Sequence, residues 1–121
     1  MQTVLIVDDN DLFRQVLRES LLSRMPDLII AEAKDQKGAM EIIRSSTPDL
    51  IFMDIRLPDG NGLQITRQIK TLYAGAKVVI ISTYDQPEYR EAAFRSKADH
   101  FVPKDTFMSL LSAIFPKPLT T

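Results

Sequence analysis

The chain contains no cysteine among its 121 residues. Disulfides and thiolate-ligated metal centres are excluded, and a reducing compartment is allowed. Histidine occurs once, at His100, and reads as a lone surface imidazole rather than a metal ligand or a relay station. No apolar stretch approaches the roughly 18 residues of a membrane-spanning helix. Neither sign of charge dominates: 15 Lys and Arg face 16 Asp and Glu, for a net charge of -1. There is thus no global basic field to favour nucleic acid. Met1-Gln2-Thr3 runs straight into strand-like sequence with no signal-peptide pattern. Repeats and low-complexity segments are absent. What remains is 45% hydrophobic and 26% charged, an ordinary balance for one globular domain with a core of its own. That domain is expected over residues 1–115. Pro116 and Pro118 prevent a helix from continuing, so residues 116–121 read as a tail or the start of a linker.

Strand-like and helix-like segments alternate, the pattern of an α/β fold with a parallel sheet. Apolar runs predict strands at Thr3 to Val7, Leu28 to Ala33, Asp49 to Met53, Lys77 to Ser82 and His100 to Val102. Leu12, Phe13, Val16, Leu17 and Leu21 recur with helical spacing after a cap at Asn10 or Asp11. Further helices are expected from Gln36 to Arg44 behind Asp35, from Leu63 to Tyr73, from Gln86-Pro87 onward, and from an Asp105 cap to about Phe115. Residues 56–62, Arg-Leu-Pro-Asp-Gly-Asn-Gly, form a loop whose glycines are expected to supply unusual backbone angles. Five strands and five helices make a (βα)5 doubly wound sheet. The apolar strands one and three belong at its centre, in the order 2-1-3-4-5.

Charged residues stand where these buried strands end. Asp8 and Asp9 follow the first run, Asp54 the third, and Lys104 the fifth. In open α/β sheets, ligands bind beyond the carboxyl ends of the strands. Three carboxylates brought together there repel one another, and a hard divalent cation such as Mg²⁺ relieves the repulsion through oxygen ligands. One carboxylate can act as nucleophile to form an acyl phosphate. Lys104 adds positive charge, and Ser82, ending strand four, can donate its hydroxyl to a phosphoryl oxygen. Taken singly, each residue is as readily a cap, a turn residue or a solvated side chain. Their joint placement carries the argument.

Val7-Asp8-Asp9, the segment from Met53-Asp54 to Asn61-Gly62, Ile81-Ser82-Thr83 and Val102-Pro103-Lys104 together resemble the receiver domain of two-component response regulators. The likeness covers Thr3 to about Phe115. Leu12-Phe13-Arg14 and Lys104-Asp105 resemble the branch whose receivers precede a helix-turn-helix DNA-binding domain. The resemblance implies that Asp54 accepts a phosphoryl group from a histidine kinase and that the domain is a switch, not an enzyme beyond its own phosphotransfer and autodephosphorylation. It implies Mg²⁺ held by Asp9, Asp54 and the Arg56 backbone carbonyl, with Asp8 assisting. Ser82 and Lys104 would bind phosphoryl oxygens, and Phe101 would be the switch aromatic. It further implies a cytoplasmic phosphorelay protein that regulates transcription, a homodimer on phosphorylation, DNA contact only through a domain outside this chain, and no membrane partner. The implied output face is helix four, strand five and helix five, including Tyr89, Arg90, Phe101 and Phe107.

Some positions depart from the family pattern. Thr83 stands where a smaller residue is common, which would narrow access to the phosphoryl group. Arg56 and Tyr84 are bulky and stand two positions after Asp54 and Ser82 respectively, where in the family side chains can face the attacking water; the resemblance thus implies a slowly lost phosphoryl group. Lys97 and His100 stand where the DNA-binding branch has glycines, leaving the exit of helix four without a glycine cap. Competing classes fit less well. A hydrolase with an aspartyl-phosphate intermediate needs a proton-shuttling acid two residues after the nucleophile, where Arg56 stands. A phosphate-ligand-binding flavodoxin-like domain would not place two aspartates after strand one. A receiver that no longer accepts phosphate would not need Asp54, the acid pair and Lys104.

Overall fold

The computed structural model describes residues 2–83 and 86–107. The apolar runs form strands β1 (Thr3–Val7), β2 (Ile29–Ala33) and β3 (Leu50–Asp54). After a minute hairpin of β4 (Arg56–Leu57) and β5 (Gly60–Asn61) come β6 (Lys77–Ser82) and β7 (His100–Pro103). Between them lie α1 (Asp11–Arg24), α2 (Gln36–Ser46), α3 (Gly62–Leu72) and α4 (Pro87–Arg95). The five long strands are all parallel, in the order β2-β1-β3-β6-β7. Counting only these five, that is the expected 2-1-3-4-5. The small hairpin lies within the segment expected as loop, where Arg56 pairs with Asn61 and Leu57 with Gly60. Residues 104–107 begin a further helical turn, so Asp105 sits inside that turn and does not cap it. The expected run of this helix to Phe115, the tail at residues 116–121, and Tyr84 lie outside the described residues.

Alternation along the buried strands sends successive side chains to opposite faces. Leu5, Val7, Ile51, Met53, Val78, Ile80 and Phe101 pack against Ala39, Met40 and Ile43 of α2, Ile65 and Ile69 of α3, and Ala93 of α4. Val4, Ile6, Phe52, Val79, Ile81 and Val102 pack on the other face against Leu17 and Leu21 of α1 and against Phe107. Two covered faces explain why the strands read as continuous apolar runs. On α1 the arc is narrower than the apolar spacing suggested: Leu12 and Val16 are exposed.

Caps settle the helix starts. The Asn10 side chain accepts from the Phe13 N–H at 3.0 Å, choosing Asn10 over Asp11 as cap, and Asp35 accepts from the Gly38 N–H at 2.8 Å. A second carboxylate joins at α2: Asp59 accepts from the Gln36 and Lys37 N–H groups at 2.7 and 3.1 Å, which holds it below the usual carboxylate range. The loop after β3 is thereby tied to the start of α2. The exit of α4 is resolved without glycine. Lys97 takes φ 71°, donates its N–H to the Phe94 carbonyl at 3.0 Å, and Ala98 donates to Ala93 at 3.1 Å. This is a complete Schellman termination with lysine in the left-handed position. Conversely, no glycine among the described residues has a positive φ, so the expected unusual angles at residues 56–62 are not found. Gly62 is required for a different reason: a Cβ there would lie 1.9 Å from the Asp54 carbonyl oxygen.

Candidate functional site

The sheet register builds the site. Val7 pairs with Met53, so Asp8 and Asp54 leave neighbouring strands side by side. Asp54 pairs with Ile81, which puts Ser82 one residue further out, and Ser82 pairs with Pro103, immediately before Lys104. Parallel strands in consecutive register therefore bring four residues, distant in sequence, to one edge.

The side chains meet there. Oxygens of Asp8, Asp9 and Asp54 all lie within 4.8 Å of one another, with Asp8 and Asp54 buried and Asp9 exposed. Lys104 Nζ is 2.6 Å from Asp8 Oδ2 and 3.4 Å from Asp54 Oδ2. Asp8 is wholly inaccessible. Its Oδ1 accepts the Asn10 N–H at 2.9 Å, whereas Oδ2 has no well-formed hydrogen bond and is compensated by the ammonium alone. Asp54 Oδ1 accepts the Ile55 N–H at 2.8 Å. Ser82 is wholly buried at the end of β6, and Thr83 after it is exposed. Arg56 opens the hairpin two residues after Asp54; its side chain is exposed and donates to the Tyr89 hydroxyl at 3.4 Å.

One ammonium against three carboxylates leaves the site short of positive charge. Burial first, and the Asp8 charge second, push Asp54 up from 3.8 to about 6, against the pull of Lys104 and the Ile55 N–H. An acid whose folded pKa is raised loses stability as pH rises. The penalty on Asp54 begins to grow at about pH 4, and it is fully present by pH 7. Asp54→Asn is therefore expected to stabilise the metal-free protein by about 1 kcal/mol at pH 7 and by nothing near pH 4. Urea titrations of both proteins in chelator at the two pH values check it; a gain that is equal at both would remove the charge explanation.

The donor set fits a hard divalent cation. It is all oxygen, carries excess negative charge and leaves Asp9 open to solvent. Among the residues expected at the site, Asp8, Asp9, Asp54, Ser82 and Lys104 converge. The Arg56 side chain turns to Tyr89 of α4. Phe101 lies in the sheet core with Arg90 4.8 Å above its ring, so the aromatic is turned inward. Phe107, expected on the output face, is instead wholly buried against Phe13 and Phe52. Hydrophobic packing claims it because it lies on the inward side of its helical turn. His100 is exposed, as expected.

Two site residues escaped sequence reasoning as individuals. Arg14 donates to the Asp8 backbone carbonyl and to Asp11, and its Nε donates to Glu32 at 3.1 Å, bracing the acid loop against β2. Phe13 presents its ring to Lys104, 4.7 Å from ammonium to centroid. The sequence places both in the segment Leu12-Phe13-Arg14, three and four residues after the Asn10 cap, but assigns neither a partner.

Residues 4–115 match the family model described as the response regulator receiver domain. The chemotaxis protein CheY of Halobacterium salinarum is 35% identical over 101 residues, which are 84% of this chain and 82% of that protein. The DNA-binding transcriptional activator DevR/DosR of Mycobacterium tuberculosis is 32% identical over 106 residues, 87% of this chain and 48% of that protein. The chain spans about half the length of most of the curated relatives it matches. The solved structure of a LuxR-family DNA-binding response regulator from Staphylococcus aureus superposes with a TM-score of 0.84 at 26% identity, covering 94% of this chain and 96% of that one.

Proposed function

Since the chain belongs to the family of response regulator receiver domains, and is therefore a signalling domain, we propose that Asp54 is its phosphoacceptor. The observation that carries this reading is the meeting of Asp8, Asp9 and Asp54 within 4.8 Å beside Lys104. An Asp54 carboxylate oxygen attacks phosphorus and forms an acyl phosphate, while the bond from phosphorus to the donor nitrogen breaks and its electron pair leaves with the donor. Asp8, Asp9, Asp54 and the Arg56 carbonyl would hold Mg²⁺, which when bound neutralises charge on the phosphoryl oxygens. Ser82 donates its hydroxyl to one such oxygen and Lys104 pairs with another. The donor is a histidine kinase, and later hydrolysis of the acyl phosphate resets the domain. Output passes to transcription through a DNA-binding domain like those of the longer relatives, with homodimerisation on phosphorylation.

Phosphoramidate with Mg²⁺ is expected to add the mass of one phosphoryl group to the wild type and none to Asp54→Ala. An unmodified wild type, or equal modification of the variant, overturns the assignment. Phosphorylation then biases a pre-existing equilibrium. Ser82 is the lever, Phe101 the switch, and α4 with β7 the output face, where Tyr89 and Arg90 contact Arg56 and Phe101. Amide hydrogen exchange with and without beryllofluoride is expected to change across α4 and β7. Changes confined to the loops around Asp54 would place the output elsewhere.

A further inference from the structure

Four contacts at the mouth of the site close on themselves. Asp8 Oδ1 accepts from the Asn10 N–H, and Asn10 Oδ1 accepts from the Phe13 N–H. The Phe13 ring lies under the Lys104 ammonium, and that ammonium returns to Asp8 Oδ2. This circuit joins the first turn of α1 to the turn after β7. The ring is fixed from behind: Phe13 packs at 6.3 Å on Phe107, which stands edge-on to Phe52 of β3 at 5.5 Å. Lys104 and Phe107 lie three residues apart, on one side of the same helical turn. An aromatic stack thus rises from the sheet core and ends on the lysine.

We propose that Phe13 is a positioning residue for Lys104. Its ring face holds the ammonium over the carboxylates through a cation–π contact. A residue that only filled the core would need volume at this place. It would not need a π face turned to a cation that is itself mostly buried, with 17% of its side chain exposed. The ring also gives Lys104 a partner that does not change when Asp8 or Asp54 takes up another ligand. The ammonium can then shift between carboxylate and phosphoryl oxygens without swinging into solvent, where a lysine side chain recovers its rotamer freedom. This inference rests on the phosphoacceptor reading of Asp54 for its consequence, though not for the contact itself.

Phe13→Leu and Phe13→Tyr separate the ring from the volume. Two quantities are read under conditions where urea titration shows each protein fully folded. The first is the proton resonance of the Lys104 ε-methylene, which a ring face moves upfield. The second is the rate at which phosphoramidate modifies Asp54 at saturating Mg²⁺. Phe13→Leu is expected to lose the upfield shift and to slow modification about threefold, the effect of one such contact. Phe13→Tyr is expected to keep both at wild-type values. A leucine variant with the wild-type resonance and rate overturns the proposal, as does a tyrosine variant that fails as the leucine one does. If the wild type is not modified at all, the phosphoacceptor reading falls, while the resonances still decide whether Phe13 holds Lys104.

Discussion

Replacing Lys104 with methionine is expected to destabilise the metal-free protein by about 3 kcal/mol at pH 7, because it leaves a buried charge without its counterion. Methionine keeps most of the side-chain volume and its packing against Phe13, so the loss isolates the charge. Asp8 is wholly inaccessible, and its Oδ2 depends on the ammonium at 2.6 Å. Asp54, already pushed up to about 6 by burial and by Asp8, loses one of the two groups that favour its ionised form. Asp54 in the variant then favours its proton more strongly, so part of the lost stability returns as pH falls. Mg²⁺ at the proposed site is also expected to restore stability, by more than it adds to the wild type. Urea titrations at pH 7 and pH 5, each with chelator or millimolar Mg²⁺, measure all of this. A variant as stable as the wild type in chelator at pH 7 would show that Lys104 does not compensate Asp8.

A single methyl group at Gly62 is expected to cost about as much by a different route. The added carbon would sit 1.9 Å from the Asp54 carbonyl oxygen, 2.8 Å from its carbon and 2.9 Å from Met53 Cγ. The first two belong to backbone, which cannot swing aside like a long side chain. The Gly62 N–H also donates to the Ile55 carbonyl at 2.7 Å, so the start of α3 is clamped directly behind the end of β3. Gly62→Ala must push the Asp54 peptide or break that clamp. Overpacking of this kind is expected to lower stability by about 3 kcal/mol and to move Asp54 relative to Asp8 and Lys104. Gly60→Ala is the control, because its close neighbour is the mobile end of Gln36, and a much smaller loss is expected there. Thermal and urea unfolding decide it. Equal, small losses in both variants would mean that α3 can back away from β3 without strain.

Asp8, Asp9, Asp54, Ser82 and Lys104 were legible from the chain alone because a buried parallel strand is an unbroken apolar run, and the first polar residue after it marks the strand end. Once the order 2-1-3-4-5 is inferred, those ends must share an edge. The covalent pattern therefore decided the fold class, the edge and the residues placed there. It could not decide how the charges pair. That Lys104 sits closer to Asp8 than to Asp54 depends on side-chain packing between α1 and the turn after β7, which no local pattern records. The same holds for Phe13 and Arg14, whose partners lie 91 and 18 residues away. Gly62 and Lys97 show the limit most clearly. Glycine suggested an unusual angle at a place where the constraint is contact with a neighbouring strand, and lysine accepts a left-handed angle because the termination of α4 imposes it. Periodicity along the chain sets which residues are buried and where strands end. Which atoms then touch is settled only when separate elements close on one another, since those contacts depend on distances in space rather than along the sequence.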